Sequence, residues 1–80
     1  MALSEKEKKD RAKLNIEIGK LIREKRLAKK LTVDELSDEC NLERSNISRI
    51  EGGRVNTSIY ILNKIAKALD LSLEEFFNGF

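Results

Sequence analysis

The chain has 80 residues and a formal net charge of +2, and 40% of its residues are hydrophobic while 38% are charged. This size fits one small soluble domain, and the absence of Pro together with the abundance of Leu, Ile, Lys and Glu favours helices. No apolar run approaches the roughly 18 residues of a membrane span, and the charged first residues lack the apolar core of a signal peptide.

The residue inventory argues against catalysis and against a bound metal. There is no His, so neither a His-assisted nucleophile nor a His/Cys metal cluster can form. The single cysteine, Cys40, allows no internal disulfide, which fits a reducing cytoplasm. We therefore expect a cytoplasmic protein that is not an enzyme, needs no cofactor and does not bind membranes.

The N-terminal part of the chain is basic, with eleven Lys and Arg against five Asp and Glu in the first thirty residues. Residues 1–13 form a charged extension, and we place the domain itself at residues 14–80. The stretch from Ser4 to Glu7 fits a capping box, in which a Ser or Thr and a Glu exchange hydrogen bonds at a helix start. Little apolar surface follows, so the segment either extends helix 1 or is a frayed tail, and the sequence leaves both open.

Apolar residues at helical spacing predict helix 1 from Leu14 to about Lys30. A second capping box, from Thr32 to Glu35, starts helix 2. Asn41 lies where helix 2 has to stop, because Asn tolerates the left-handed backbone conformation that ends many helices. Helix 3 begins shortly afterwards, and two short helices joined by such a turn form a helix-turn-helix motif.

Helix 3 covers residues 43–51, and its two faces differ. Ile47 and Ile50 share an inner, apolar face. The rest of the helix is rich in hydrogen-bonding side chains: Arg44, Ser45, Asn46, Ser48 and Arg49. Arg can hold guanine with two hydrogen bonds, Asn can pair with adenine and Ser can contact either, so these residues suit a helix in the DNA major groove. A face that is merely solvated is the alternative, but the turn before it and the basic loop after it favour base contacts.

The loop after helix 3 suits the sugar-phosphate backbone of DNA. Arg54, Asn56 and Thr57 offer side-chain donors there, and the start of helix 4 adds free amides and the positive end of a helix dipole. Thr57 is also the N-cap that we predict for helix 4. Together with Thr32, at the start of helix 2, these residues form the predicted phosphate-contacting set.

The C-terminal segment holds all three Phe of the chain, after a third capping box from Ser72 to Glu75 that starts helix 5. Phe76 and its neighbour point about 100° apart on a helix, so they cannot both face one core. We assign Phe76 to the core. Exposed aromatics that lie together mark interfaces, which predicts a homodimer. The predicted interface comprises Ile61, Phe77 and Phe80.

From Ile18 to Phe77 the sequence resembles the Xre and phage-repressor family of helix-turn-helix domains, and within it the controller proteins of restriction–modification systems. The resemblance rests on Ile18-Gly19, Arg26, "LT", Glu35-Leu36, "IS–IE-G" and "S–L–IAKAL-LS". It implies an all-α, compact five-helix bundle of the lambda-repressor type, with helix 3 as the recognition helix. It also implies that Arg26 and Glu51 form a structural salt bridge between helix 1 and the end of helix 3.

Three positions depart from the family pattern. Val33 stands where the family often has a Gln that clamps a phosphate, so that side-chain contact is missing. Lys30 and Asn41 stand where the family often has Gly. A left-handed Lys is strained, whereas Asn is tolerated. None of the three changes removes the recognition helix.

Helix 2 carries two acidic residues, Asp34 and Asp38, that are four apart and therefore share a face. One interpretation is a solvated face, with Asp34 stabilised by the positive end of the helix dipole. The other is a patch that contacts RNA polymerase bound on neighbouring DNA. The sequence leaves both open.

These features predict a sequence-specific DNA-binding transcriptional regulator of the controller type. It binds a palindromic operator in double-stranded DNA as a dimer, with half-sites about one helical turn apart. The alternative is a protein-interaction module, such as an antitoxin or a scaffold, that keeps the fold without binding DNA. Such a module has no need of Arg44 and Arg49 on one exposed side next to Arg54, which favours the regulator.

Overall fold

The computed structural model describes residues 2–80, and this part of the chain forms five helices. They are α1 (Glu5–Ala28), α2 (Val33–Cys40), α3 (Arg44–Glu51), α4 (Ile59–Ala68) and α5 (Leu73–Phe76). The all-α class and the five-helix architecture predicted from the sequence are confirmed. Helix α3 begins one residue later than predicted, because Glu43 has an extended backbone and serves as its N-cap.

Three helices start with the predicted capping boxes. In each, a hydroxyl accepts a hydrogen bond from the backbone N–H three residues on, and the Glu at that position accepts one from the backbone of the cap. The pairs are Ser4 with Glu7, Thr32 with Glu35 and Ser72 with Glu75. In all three the backbone N–H of the cap, donating to the carboxylate, lowers the pKa of the Glu.

The N-cap of α4 differs from the prediction. It is Ser58, whose hydroxyl accepts from the N–H of Ile61 at 3.1 Å, and not Thr57. The helix therefore starts one residue later, because the sequence pattern did not distinguish two adjacent hydroxyls. Thr57 lies half-buried in the preceding loop.

The charged N-terminal segment is helical. Helix α1 starts at Glu5, after the Ser4 capping box, and runs without interruption for 24 residues. The sequence left two alternatives for residues 4–13, and the structure shows the first of them: this segment extends helix 1. Most of its side chains are exposed up to Leu14, so these turns project from the bundle instead of packing into it.

Three turns between helices use a left-handed residue that is not Gly. Lys30 has φ of 59°, Asn41 of 54° and Asp70 of 60°. The first two were predicted, and Asn41 ends α2 as expected. Asp70, after α4, was not predicted, although it occupies the same position relative to its helix end as Lys30 does relative to α1.

The core lies between the five helices and consists mainly of Leu and Ile with one aromatic ring. Phe76 is fully buried in it, as predicted. The other large fully buried side chains are Ile22, Leu36, Ile47 and Ile65. Helix α1 packs on α3, α2 packs on α3 and α4, and α4 packs on α5.

Two glycines let the backbone of α1 approach α3 and the loop behind it. A Cβ on Gly19 would lie 2.5 Å from the carbonyl oxygens of Ile50 and Glu51. A Cβ on Gly53, whose φ is +69°, would lie 2.8 Å from the Cα of Ile16. Both distances are too short for any side chain, so α1 is in direct backbone contact with the C-terminal end of α3.

Candidate nucleic-acid interface

Helices α2 and α3 form the helix-turn-helix. Asn41 ends α2 in the left-handed conformation, and the chain turns through Leu42 into α3. Ile47 and Ile50 are buried and fix α3 against α1 and α2. Because these anchors occupy one face of a two-turn helix, the opposite face is left for contacts outside the protein.

The predicted base-contacting residues do lie together on this helix. Arg44, Ser45, Ser48 and Arg49 are exposed, and only Asn46 is half-buried. The exposed face thus presents guanidinium groups and hydroxyls without an acidic side chain among them. Asn46 is the least accessible of the five, so it is the weakest candidate for a base contact.

An ion pair that was not predicted crosses between the two helices of the motif. The Nε of Arg44 lies 2.9 Å from the Oδ1 of Asp34, and both side chains are largely exposed. Arg44 therefore has an ion-pair partner within the protein, Asp34, in addition to its predicted role in base contact. The pair leaves both terminal guanidinium nitrogens of Arg44 free for a further acceptor. Such an exposed pair contributes little to folding stability, so it does not prevent Arg44 from turning towards another acceptor.

A shallow concavity of about 450 Å³ lies beside this pair, lined by Val33, Arg44, Ser45 and Ser48. Val33 occupies the position where the family often has Gln, and here it gives the concavity an apolar wall. The second acidic residue of α2, Asp38, is exposed. The solvated-face and polymerase-contact interpretations of Asp34 and Asp38 both remain predictions.

The predicted phosphate-contacting residues lie at two places around α3. Arg54 is exposed in the loop between α3 and α4. In the same loop the Oδ1 of Asn56 accepts a hydrogen bond from the Nδ2 of Asn15 in α1, at 2.7 Å. Thr32 is at the start of α2, where its hydroxyl accepts from the N–H of Glu35 at 3.0 Å and keeps its own proton free to donate.

The predicted salt bridge between Arg26 and Glu51 is present and bidentate. The Nε of Arg26 lies 2.7 Å from the Oε2 of Glu51, and its Nη2 lies 2.9 Å from Oε1. Its Nη1 donates to the carbonyl of Leu31 at 2.8 Å. Only about a tenth of each charged side chain is exposed. The hydrogen bonds to Glu51 raise the pKa of Arg26, so the guanidinium stays charged and holds the end of α3 against α1.

The C-terminal aromatic side chains form a continuous row. The ring centroids of Phe76 and Phe77 are 5.1 Å apart, and those of Phe77 and Phe80 are 5.6 Å apart, both edge to face. Phe80 is 54% exposed, whereas Phe77 and Ile61 are half-buried and pack against the core. The surface predicted for dimerisation is therefore less exposed than expected, because the ring of Phe77 packs edge to face against the buried ring of Phe76.

Sequence reasoning missed several accessible or paired residues. Ile59 and Tyr60, in the first turn of α4, are 66% and 69% exposed. Their exposure follows from the orientation of α4, which the spacing of its apolar residues does not fix at the first turn. The pairing of Asn15 with Asn56 spans 41 positions of the chain, and no local pattern could have predicted it.

Within residues 2–80, no helix has the length and apolar character needed to cross a lipid bilayer.

Comparisons with known proteins place this geometry among DNA-binding regulators. The helix-turn-helix family model HTH_3 matches residues 22–76. The crystal structure of the restriction–modification controller protein C.AhdI from Aeromonas hydrophila is 35% identical, with a TM-score of 0.75, covering 79% of this chain and 96% of that chain. No curated protein gave a significant match.

Two further solved structures are similar. The C.Esp1396I controller protein, as a tetramer in complex with its natural 35 base-pair operator, is 35% identical with a TM-score of 0.78, covering 82% of this chain and 87% of that chain. The clp gene regulator ClgR from Corynebacterium glutamicum is 26% identical with a TM-score of 0.76, covering 81% of this chain and 69% of that chain.

Proposed function

This chain belongs to the helix-turn-helix family HTH_3 and is a DNA-binding transcriptional regulator, and we propose that it binds a palindromic operator as a homodimer, in the manner of a restriction–modification controller. Helix α3 reads the bases, and the loop that follows it holds the phosphates. A DNA-binding regulator acts where the DNA is, which supports a cytoplasmic location.

The observation that carries this proposal is the exposed outer face of α3. It presents two arginines and two serines, and Asp34 of α2, which approaches this face, is already paired with Arg44. Arginine side chains on an exposed helix can each take both acceptors of a guanine in the major groove. The buried Ile47 and the Arg26 salt bridge hold this face in a fixed orientation, which base readout requires.

The two sets of residues act differently on DNA. Arg49 and Arg44 read base edges and therefore set the preferred sequence. Arg54 and Asn56 touch phosphates and set affinity and register without sequence preference. Asn56 is positioned for this by Asn15, which occupies its carbonyl oxygen and leaves its amide protons free to donate.

Selection of bound sites from a random duplex pool, followed by affinity measurements on the selected duplex, tests the proposal. We expect Arg49→Ala to cost about 1–3 kcal/mol and to relax the preference at one base pair of each half-site. Arg54→Ala should weaken selected and scrambled duplexes by about the same factor. Lys67→Ala removes the same charge from α4 and serves as the control. If Arg49→Ala bound both duplexes as the parent does, α3 would not be the reading helix.

Dimer formation is the second part of the proposal. Phe77 and Phe80 offer an apolar edge next to α5, and a two-fold dimer doubles the contacts that one short helix can make with a palindrome. Sedimentation at micromolar concentration should give a dimer for the parent and a monomer for the variant Phe77→Ser, Phe80→Ser. If the variant remained dimeric, the interface would lie at another surface, for instance at the exposed Ile59 and Tyr60.

The salt dependence of binding distinguishes this proposal from the alternative, a protein-interaction module that does not bind DNA. Binding to phosphates releases counterions, so the affinity of a DNA regulator falls steeply as salt rises, whereas apolar docking does not. The family and the similar structures named above are regulators and not enzymes. That this chain has no enzymatic activity of its own stays a prediction.

A further inference from the structure

The N-terminal turns of α1 and the loop after α3 enclose a basic groove. It has a volume of about 320 Å³ and is lined by side chains from both elements: Lys8, Arg11 and Asn15 from α1, and Arg54, Val55 and Asn56 from the loop. None of the residues that line it is acidic. The wall formed by α1 precedes residues 22–76, which match the family model, so the family assignment does not account for it.

The groove is held open by contacts that fix α1 relative to the loop. The hydrogen bond from Asn15 to Asn56 joins its two walls at one end. Next to it, Gly53 allows the backbone of Ile16 to lie directly against the loop. The capping box at Ser4 stabilises the far end of the helix. Lys8 and Arg11 are therefore carried on an ordered helix beside Arg54.

Two of the cations in these turns, Lys8 and Arg11, line the groove. Lys8, Arg11 and Asn15 follow one another at spacings of three and four, so they share the face that lines the groove. The carboxylate of Glu7 accepts a hydrogen bond from the backbone N–H of Ser4. Glu5 approaches Lys8 at 3.4 Å, but both side chains are largely exposed, and such a pair is weak enough to yield to a phosphate.

We propose that this face of α1 is a second phosphate-binding surface, which contacts the DNA backbone beyond the base pairs that α3 reads. The proposal rests on the proposed function, because it places the groove beside a loop that already holds phosphates. Residues 5–15 of α1 extend about 16 Å at 1.5 Å per residue. Because each strand carries one phosphate per about 3.4 Å of duplex axis, a segment of that length lying along the duplex would span several base pairs of flanking DNA.

The test compares two double variants from which equal charge is removed. Lys8→Ala, Arg11→Ala removes the groove cations, whereas Lys9→Ala, Lys13→Ala removes two cations from α1 residues that do not line the groove. Ala is the best helix former, so both variants should keep α1 intact, which circular dichroism and thermal unfolding check. Affinity for the selected operator is measured from about 0.05 to about 0.2 M salt, the range over which phosphate binding weakens steeply, with long flanks and with flanks trimmed to the half-sites.

On the long duplex, we expect the groove variant to bind more weakly than the control variant. The slope of log affinity against log salt should become shallower by about 0.9 for each phosphate that the groove variant no longer neutralises. On the trimmed duplex, the two variants should bind alike. Equal binding of the two variants to the long duplex would overturn the proposal while leaving the proposed function standing. If the parent bound no duplex at all, the proposed function itself would fail, and this proposal with it.

Discussion

The salt bridge between Arg26 and Glu51 should be one of the points at which a single substitution destabilises the fold most. We consider the change Arg26→Ala. It leaves the carboxylate of Glu51, about nine-tenths buried in the parent, without a partner, and it removes the donor to the carbonyl of Leu31. The cost is therefore set mainly by an uncompensated buried charge, and only secondarily by the loss of attraction between the two charges.

The magnitude follows from the burial. Removing one partner of a buried, hydrogen-bonded pair costs about 3–5 kcal/mol, and the slight exposure of this pair places it near the lower end, at about 3 kcal/mol. A domain of this size has a total stability of about 4–12 kcal/mol. One kcal/mol shifts the melting temperature of such a domain by roughly 4–8 °C, so we expect Arg26→Ala to lower it by at least about 12 °C.

A double-mutant cycle measured by urea unfolding isolates the coupling between the two residues. Glu51→Ala should cost a similar amount, and the double variant should be more stable than the sum of the single losses implies, by about 1–3 kcal/mol. Lys25→Ala, which removes a neighbouring charge on α1, serves as the control and should shift the urea midpoint little. Strictly additive losses would refute the reasoning, because they would mean that neither charge depends on the other.

Three further predictions concern single positions. Gly19→Ala should destabilise the fold by about 1–3 kcal/mol, since its Cβ would meet the backbone carbonyls at the end of α3; Lys20→Ala is the control for urea unfolding. The capping hydrogen bonds lower the pKa of Glu35 below its ordinary value of 4.5, so the stability they give is present above that value and is lost as the pH falls through the lowered pKa. Glu35→Gln should therefore make the fall of the melting temperature between about pH 5 and pH 3 less steep, while Glu7 and Glu75 keep their own contributions. Lys30 has φ of 59°, and Gly adopts this left-handed conformation without strain. Lys30→Gly should therefore raise the free energy of unfolding by up to about 1 kcal/mol, seen as a higher urea midpoint. An unchanged or lower midpoint would show that no strain is stored there.

Local patterns were enough to predict the helices, because most of them carry their own start signal. The three capping boxes were correct, and so was the left-handed Asn41 between α2 and α3. Where two adjacent residues offered the same chemistry, as Thr57 and Ser58 do before α4, the pattern could not choose between them. The extent of α1 was also undecided, because its first turns bury little apolar surface and their stability comes from capping.

The interface was harder to predict, because its details depend on contacts between distant parts of the chain. The spacing of Ile47 and Ile50 was enough to identify the outer face of α3. It could not show that Arg44 turns towards Asp34 or that Asn56 is bound by Asn15. Both pairs join residues on different helices or loops, and they exist only once the helices have packed.

The direct backbone contact at Gly19 and Gly53 couples two surfaces mechanically. No compressible side chain separates α1 from the C-terminal end of α3, and closely packed interiors transmit strain. A tilt of α1 therefore moves the end of the recognition helix, together with Arg49 and the loop behind it. If α1 contacts flanking DNA as proposed above, a change in the angle of that contact would be transmitted through Gly19 and Gly53 to the end of α3.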